Sequence, residues 1–264
     1  MPSRPSISVF FPAYNDAGTI TSMVLTALLT LRRVANDYEV IVVNDGSQDH
    51  TPQLLEELAR HYPNVRIVHH VKNTGYGGAL RTGIAQSRKE LIFYTDGDAQ
   101  YDVRELEKLI PLMTEDTDMV NGYKISRSDP FYRAFLGMMY RLLAKLFFGI
   151  RLKDIDCDFR LMRRRIFENI SLKSNSGTIC VEMVKKIEAH GFRIREVPVH
   201  HFYRSYGKSQ YFTFKRLLKT VIDLSQLWYE FFISRSGRPG EAASATNPAA
   251  ATRTIHAVKR NNGT

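Results

Sequence analysis

Four short apolar runs alternate with segments of helical spacing over the first 120 residues, and each run stops at a cluster of small, polar or acidic residues. The runs are residues 6–11, 40–43, 65–68 and 91–94. Residues 40–43 and 91–93 are unbroken apolar runs and read as strands buried on both faces, the habit of a parallel sheet; 6–11 and 65–68 read as strands beside them. Residues 19–35, about 50–61, 76–88 and 102–114 read as the intervening helices. Pro12 is expected to stop the first strand, and Pro52 suits the first turn of a helix capped by Ser47 or Asp49. A βαβαβαβ order predicts a mainly parallel, doubly wound α/β sheet with right-handed crossovers and flanking helices. Such sheets bind ligands beyond the carboxyl ends of their strands. The residues that follow each run therefore carry the functional information.

The fourth run leads into Tyr94-Thr95-Asp96-Gly97-Asp98-Ala99-Gln100. A strand interior does not hold two ionised Asp side chains without partners. Hard oxygen ligands at a strand end suit Mg²⁺ or Mn²⁺ and, through the metal, a diphosphate. Asp-Gly is also a common turn pair, so these residues alone leave a plain turn open. The first run ends in Pro12-Ala13-Tyr14-Asn15-Asp16, the second in Asn44-Asp45-Gly46, and the third in Asn73-Thr74-Gly75-Tyr76-Gly77-Gly78. Glycines at 75, 77 and 78 let backbone approach a ligand closely and aim helix N–H groups at it. No lysine follows at P-loop spacing, which disfavours an NTPase. The glycines follow the third strand and not the first, which disfavours a nicotinamide enzyme.

After residue 120 the rhythm changes. Residues 119–122 and 193–199 read as strands, and 131–148, 179–190 and 212–233 as helices; from 234 the composition predicts a disordered tail. Charge divides with the rhythm. Residues 1–120 hold 11 Lys+Arg against 16 Asp+Glu, and residues 121–264 hold 26 against 11. The second part is thus expected to meet an anion, whether nucleic acid, an acidic membrane surface or a phosphorylated substrate. Asp154, Asp156 and Asp158 cluster just before Phe159-Arg160-Leu161. A carboxylate there is a candidate to accept a proton from a hydroxyl acceptor, or to pair with Arg163, Arg164 and Arg165. Two cysteines without CxxC spacing and a start lacking an export signal's apolar core predict a reducing, cytoplasmic setting without structural zinc. No run approaches the roughly 18 apolar residues that span a bilayer.

Six stretches in order, FFPAYND, VVNDGSQDHT, KNTGYGGALRTG, TDGDAQ, DIDCDFRLMRR and VPVHHFYRSYGKSQ, make the chain resemble family 2 glycosyltransferases. The likeness covers residues 6 to about 233 and implies the GT-A (nucleotide-diphospho-sugar transferase) fold. Within that family it resembles the dolichol-phosphate-mannose-synthase-like group. The resemblance implies a GDP- or UDP-sugar donor, Mg²⁺ or Mn²⁺, and inverting transfer to a polyprenyl phosphate. By position, Pro12, Tyr14 and Asp16 line the nucleotide pocket, and Val43 and Asp45 contact base and ribose. Asp96 and Asp98 match a DxD motif with Gly97 between them, and Gln100 matches a third metal ligand. Lys124 faces phosphate, Arg133 matches an acceptor-phosphate arginine, and Arg204 with Lys208 belongs to a loop closing over donor phosphates. The catalytic set implied is Asp96, Asp98, Asp156 and Arg204, with Asp156 or Asp154 positioning the acceptor or acting as base. The chain departs from relatives at Asp16 (more often Glu), Asn44 (Asp), Asp158 (Gly) and Gln210 (Lys). Glu182 recurs in relatives, and neither His200 nor His201 is expected to bind metal.

The domain expectation is one GT-A domain over 1–233, with a donor half 1–120, an acceptor half 121–211 and an amphipathic helix 212–233, followed by the tail. Residues 131–148 and 214–233 are rich in apolar and aromatic side chains punctuated by Lys and Arg. Such helices either lie in a headgroup layer or pack on the sheet and on each other. The reading is a peripheral enzyme at the inner membrane face, with a possible membrane-protein partner and no nucleic acid. Transfer to a soluble or cell-envelope glycan, and a non-catalytic nucleotide-sugar-binding subunit, are the competing readings.

Overall fold

The computed structural model describes residues 4–125, 138, 139, 142, 144–204, 206 and 214–234, without the side chains of 214–218. Among them, one seven-stranded sheet has the order β3-β2-β1-β4-β6-β5-β7. The strands are β1 (Ser6–Ala13), β2 (Asp37–Asn44), β3 (Val65–His69), β4 (Leu91–Thr95), β5 (Met119–Lys124), β6 (Phe159–Arg163) and β7 (Ile194–Val199). β1 to β4 are parallel, and β5 pairs parallel with β7. β6 runs antiparallel to both β4 and β5. The helices are α1 (Ile20–Val34), α2 (Thr51–His61), α3 (Tyr76–Gln86), α4 (Leu106–Leu109), α5 (Ile166–Asn169), α6 (Ile179–Ala189) and α7 (Phe214–Phe232).

The apolar runs have the physical origin expected of them. Val9, Phe11, Val40, Val42 and Phe93 join one core layer with Met23, Val24, Ala27 and Leu31 of α1. Their neighbours Phe10, Ile41, Val43, Ile92 and Tyr94 join the other with Ala79, Leu80 and Ile84 of α3 and Val181 and Val184 of α6. With helices on both faces, most alternate side chains find apolar partners; the exceptions Ser8, Glu39 and Arg66 bond one another across β1, β2 and β3. At Gly83 a methyl group would lie 2.3 Å from the Phe10 ring, so a glycine there sets how closely α3 approaches β1.

The structure corrects several expected boundaries. β1 passes through Pro12 to Ala13. The β4 ladder on that side ends at Phe10, so no hydrogen bond to β4 is lost at the proline. β7 likewise runs through Pro198, which an edge strand tolerates. Residues 102–114 are not one helix. A 3-10 turn at Val103–Glu105, the short α4 and a second 3-10 turn at Ile110–Leu112 replace it, with Pro111 breaking the ladder. The sequence pattern predicts no strand at β6, because Arg160 interrupts its apolar run at the second position. Of the helix expected at 131–148, residues 138, 139, 142 and 144–148 are helical and the others lie outside the described residues, as does the expected tail from 235. No described helix is long and apolar enough to cross a membrane.

Candidate active site

A pocket of about 450 Å³ opens at the carboxyl ends of β1, β2 and β4. Pro12, Tyr14, Asp16, Asp45, Asp96, Gly97, Asp98 and Arg204 line it, so eight residues named from sequence meet in one place. Gln100, Val43, Lys124 and Asp156 are not in its wall. Arg133 and Lys208 lie outside the described residues.

The charge in this pocket is concentrated at the end of β4. Asp98 is 3% exposed, and its Oδ2 accepts a hydrogen bond from the Arg204 guanidinium while Oδ1 accepts the Gln100 N–H at 3.0 Å. Asp96 accepts the Tyr76 hydroxyl at 2.9 Å. Burial, then the charges of Asp158 and Asp98, push the Asp96 carboxyl well above the ordinary range. Burial also raises Asp98, although Arg204 opposes it. Asp16 rises to about 6, because burial and the Asp98 charge outweigh the Tyr14 N–H and Arg204. Three carboxylates thus share one guanidinium, an arrangement short of positive charge. Among the described residues no three His, Cys, Asp or Glu side chains converge as a protein-only metal cage. The Gln100 side chain donates to the Phe202 carbonyl at 3.2 Å, so its amide nitrogen is engaged beside the pair.

Asp45 lines the pocket and at the same time holds the glycine turn. Its Oδ1 meets His70 Nδ1 at 2.6 Å and accepts the Thr74 N–H and hydroxyl at 2.8 and 2.7 Å. Its Oδ2 accepts the Gly75 N–H at 3.0 Å. Burial raises this carboxyl, but the bonds from His70 and Thr74 outweigh burial and lower it overall. The carboxylate therefore locks the glycine turn that opens α3. Gly75 has φ +89°, and a side chain there would strike the Asn175 carbonyl at 2.4 Å. Val43 is fully buried in the core and presents only backbone at the strand end.

Segment 173–177 presses on that turn from the second half of the chain. The Gly77 N–H donates to the Asn175 carbonyl at 3.0 Å, and Arg81 donates to the Lys173 carbonyl and Asn175 Oδ1, each at 2.8 Å. Glu182, 1% exposed, accepts the Lys173 and Ser174 N–H groups at 2.9 and 2.8 Å. Asn175, Ser176 and Gly177 line the pocket, as do Lys219 and Thr220 of α7. Sequence reading missed all five. The only signal was Glu182, whose buried carboxylate needed donors. Tyr206 adds a further contact: a methyl group at Gly18 would lie 2.4 Å from its ring.

A second polar cluster lies behind the pocket, where β6 meets β4 and β5. Thr95 is registered with Phe159, which brings Asp158 alongside Asp96 just beyond the paired residues. Lys124 donates to the Asp156 carbonyl at 2.9 Å. Burial opposes the Lys124 charge, but Asp154 and its neighbours raise its pKa overall. Burial lifts Asp156 to about 7 against the pull of Lys124. Arg160 is fully buried and donates to Asn121 Oδ1 at 2.8 Å, the Tyr94 hydroxyl at 2.7 Å and the Ile155 carbonyl. The alternative pairing of Asp154 and Asp156 with the arginine run does not occur: Arg163 goes to Glu90, Arg164 to Glu168 and Arg165 to Asp118. His200 is bound by Glu105, and the His201 ring packs edge-on against Tyr101 at 5.1 Å. Cys157 and Cys180 are buried and form no disulfide.

Known proteins resemble this chain at two levels. Glycosyltransferase AglD of Haloferax volcanii is 32% identical over 202 residues, which is 73% of this chain and 32% of that protein, so the chain spans about a third of the relative's length. Among solved structures, glucosyl-3-phosphoglycerate synthase of Mycobacterium tuberculosis in complex with UDP has a TM-score of 0.65 at 17% identity, covering 95% of this chain and 87% of that one. The same enzyme with Mn²⁺, UDP-glucose and phosphoglyceric acid gives 0.61 at 18%, covering 95% and 86%. With Mg²⁺ and UDP it gives 0.61 at 18%, covering 90% and 81%. These likenesses concern the fold, which is GT-A. A profile described as Glycosyl transferase family 2 matches residues 8–171, from β1 through β6 and α5. That match runs over more than half of the chain, which therefore belongs to glycosyl transferase family 2.

Proposed function

We propose that the protein is a metal-dependent, inverting glycosyltransferase that moves a sugar from a nucleotide sugar to a polyprenyl phosphate at a membrane face. The observation that carries this reading is the meeting of Asp96, Asp98 and Arg204 in one pocket with Pro12, Tyr14 and the glycine turn. The residues fit a divalent cation: two buried carboxylates with raised pKa values gain a hard counter-ion, and Mg²⁺ typically takes one or two carboxylates plus substrate phosphate. Asp96 and Asp98 would hold it, and the side-chain amide oxygen of Gln100 would be the third ligand. When bound, such an ion neutralises the diphosphate that departs as the sugar–phosphate bond breaks.

The chain's own groups supply the rest. Pro12, Tyr14 and Asp16 wall the nucleotide side, while Asp45 keeps the glycine turn in shape. Arg204 moves from Asp98 to the donor phosphates as they arrive, exchanging one anion for another. An acceptor phosphate is already anionic, so it attacks the anomeric carbon without a base. Asp156 stands behind this pocket, near neutrality in pKa, and serves to position the acceptor side. The apolar exposed side chains Leu142, Leu146, Phe147, Trp228, Tyr229 and Phe232 form the contact with lipid. The Phe148 and Phe232 rings, 6.5 Å apart, join the two helices that carry them.

A phosphorylated small acid is the second reading, supported by the phosphoglyceric acid bound to a structural neighbour. Incubation of labelled GDP- and UDP-sugars with either a polyprenyl phosphate in detergent or phosphorylated hydroxy acids, with Mg²⁺, Mn²⁺ or EDTA, separates the two. Label in the lipid fraction, abolished by EDTA, is expected. Label only in the soluble acid overturns the lipid acceptor, and undiminished transfer in EDTA overturns the metal.

A further inference from the structure

We propose that Lys219 on α7 is a residue that binds the acceptor's phosphate; the assignment rests on the phosphate-acceptor reading above. The acceptor oxygen has to approach the rim where Asp98 and Arg204 meet. Of the described basic side chains, only Arg204 and Lys219 line this pocket. Arg204 is committed to Asp98 and then to the donor. Lys124 points its ammonium at the Asp156 carbonyl, and Arg160 is sealed in the core. Lys219 stands at the mouth with its side chain 62% exposed.

Its present partner is one that a phosphate can displace. The Lys219 ammonium contacts Asp223 Oδ1 at 3.0 Å and Oδ2 at 2.9 Å, one helical turn away. An exposed pair of this kind is weak, whereas a phosphate brings more charge and three acceptor oxygens. Asp223 does not need the lysine to stay in place, because Ser176 of the pocket wall donates to its Oδ2 at 2.6 Å. Lys219 also sits on the helix whose outer side exposes Val221, Ile222, Tyr229 and Ile233. One helix thus offers a cation at the pocket and apolar side chains away from it, the polarity of a lipid phosphate with its head inward.

Initial rates at saturating donor, with a short water-soluble polyprenyl phosphate varied, test this. Lys219→Gln is expected to raise the acceptor KM roughly tenfold, while kcat and the donor KM stay within about twofold of the parent. Lys219→Arg is expected to restore the acceptor KM. An unchanged acceptor KM in Lys219→Gln, with the parent active, overturns the Lys219 assignment alone. An equal loss of kcat and donor KM in both variants also overturns it, since the residue would then act through helix packing. If the parent transfers to neither the polyprenyl phosphate nor a phosphorylated acid, the acceptor reading falls and this assignment with it.

Discussion

The two halves of the sheet handle charge in opposite ways. β1 to β4 are mostly apolar: their buried Glu39 is held by Ser8 and Arg66 of the neighbouring strands, and Asp16, Asp96 and Asp98 converge beyond the carboxyl ends. β5 and β6 carry Asn121 and Arg160 within their span, both fully buried and bonded to each other. Beyond the strand ends of the first half, Asp16, Asp96 and Asp98 face the pocket and stay poorly compensated. In the second half, charge is aimed inward and is satisfied by neutral oxygens of the protein. A buried ion is thus a functional signal at a strand end and a structural one in mid-strand.

Substitutions on each side sharpen or break that contrast. The largest effect belongs to Asp98→Asn, which is expected to lower kcat by about 10³-fold or more while leaving the unfolding midpoint within a degree or two of the parent. A thermal scan that instead shows major destabilisation would make this carboxylate a structural group. Arg160→Leu is expected to do the reverse. It leaves the Tyr94 hydroxyl, Asn121 and the Ile155 carbonyl without their donor and costs roughly 3–5 kcal/mol in urea unfolding. Near-parental stability would end the distinction between the halves. Gly83→Ala drives a methyl group into Phe10 and is expected to cost about 1–3 kcal/mol, with donor binding reduced in step as α3 shifts.

The smallest effect is a pH dependence. The Asp16 carboxyl sits at about 6 in the folded chain against 3.8 when unperturbed. The folded state therefore holds this proton more tightly, so its contribution to stability is present below about pH 4 and is lost as pH rises through about 6. Asp16→Asn removes the ionised group. It is expected to be more stable than the parent by roughly 1–3 kcal/mol at pH 7 in EDTA, with the advantage gone near pH 4. An advantage that grows on acidification would show that burial does not dominate at this site.

The same contrast explains what could be read from the amino-acid order. The parallel half was legible because its strands are mostly apolar and its polar clusters follow them directly, so Asp96, Asp98 and the glycine turn announced themselves. β6 stayed hidden because Arg160 violates the apolar pattern and the arginine run beside it mimics a surface segment. Asp45 was legible as a pocket residue but its bonds were not, since nothing local tells that His70 and Thr74 will meet its oxygens. Asn175, Ser176 and Lys219 come to the pocket only through the packing of 173–177 on the glycine turn and of α7 on that segment, contacts between distant parts of the chain that no short motif encodes.

The reversed direction of β6 has a consequence for descent with change. β5 leaves the sheet at the ligand-facing rim, and β6 re-enters at that same rim, so residues 125–158 begin and end there. An interval anchored at both ends by a fixed ladder can be exchanged without disturbing strand order, provided the core positions Ala144, Phe148, Ile150, Leu152 and Ile155 stay apolar. Chimaeras that swap this interval between relatives should keep their nucleotide sugar and inherit the other parent's acceptor, which makes the interval a natural graft point for new specificities.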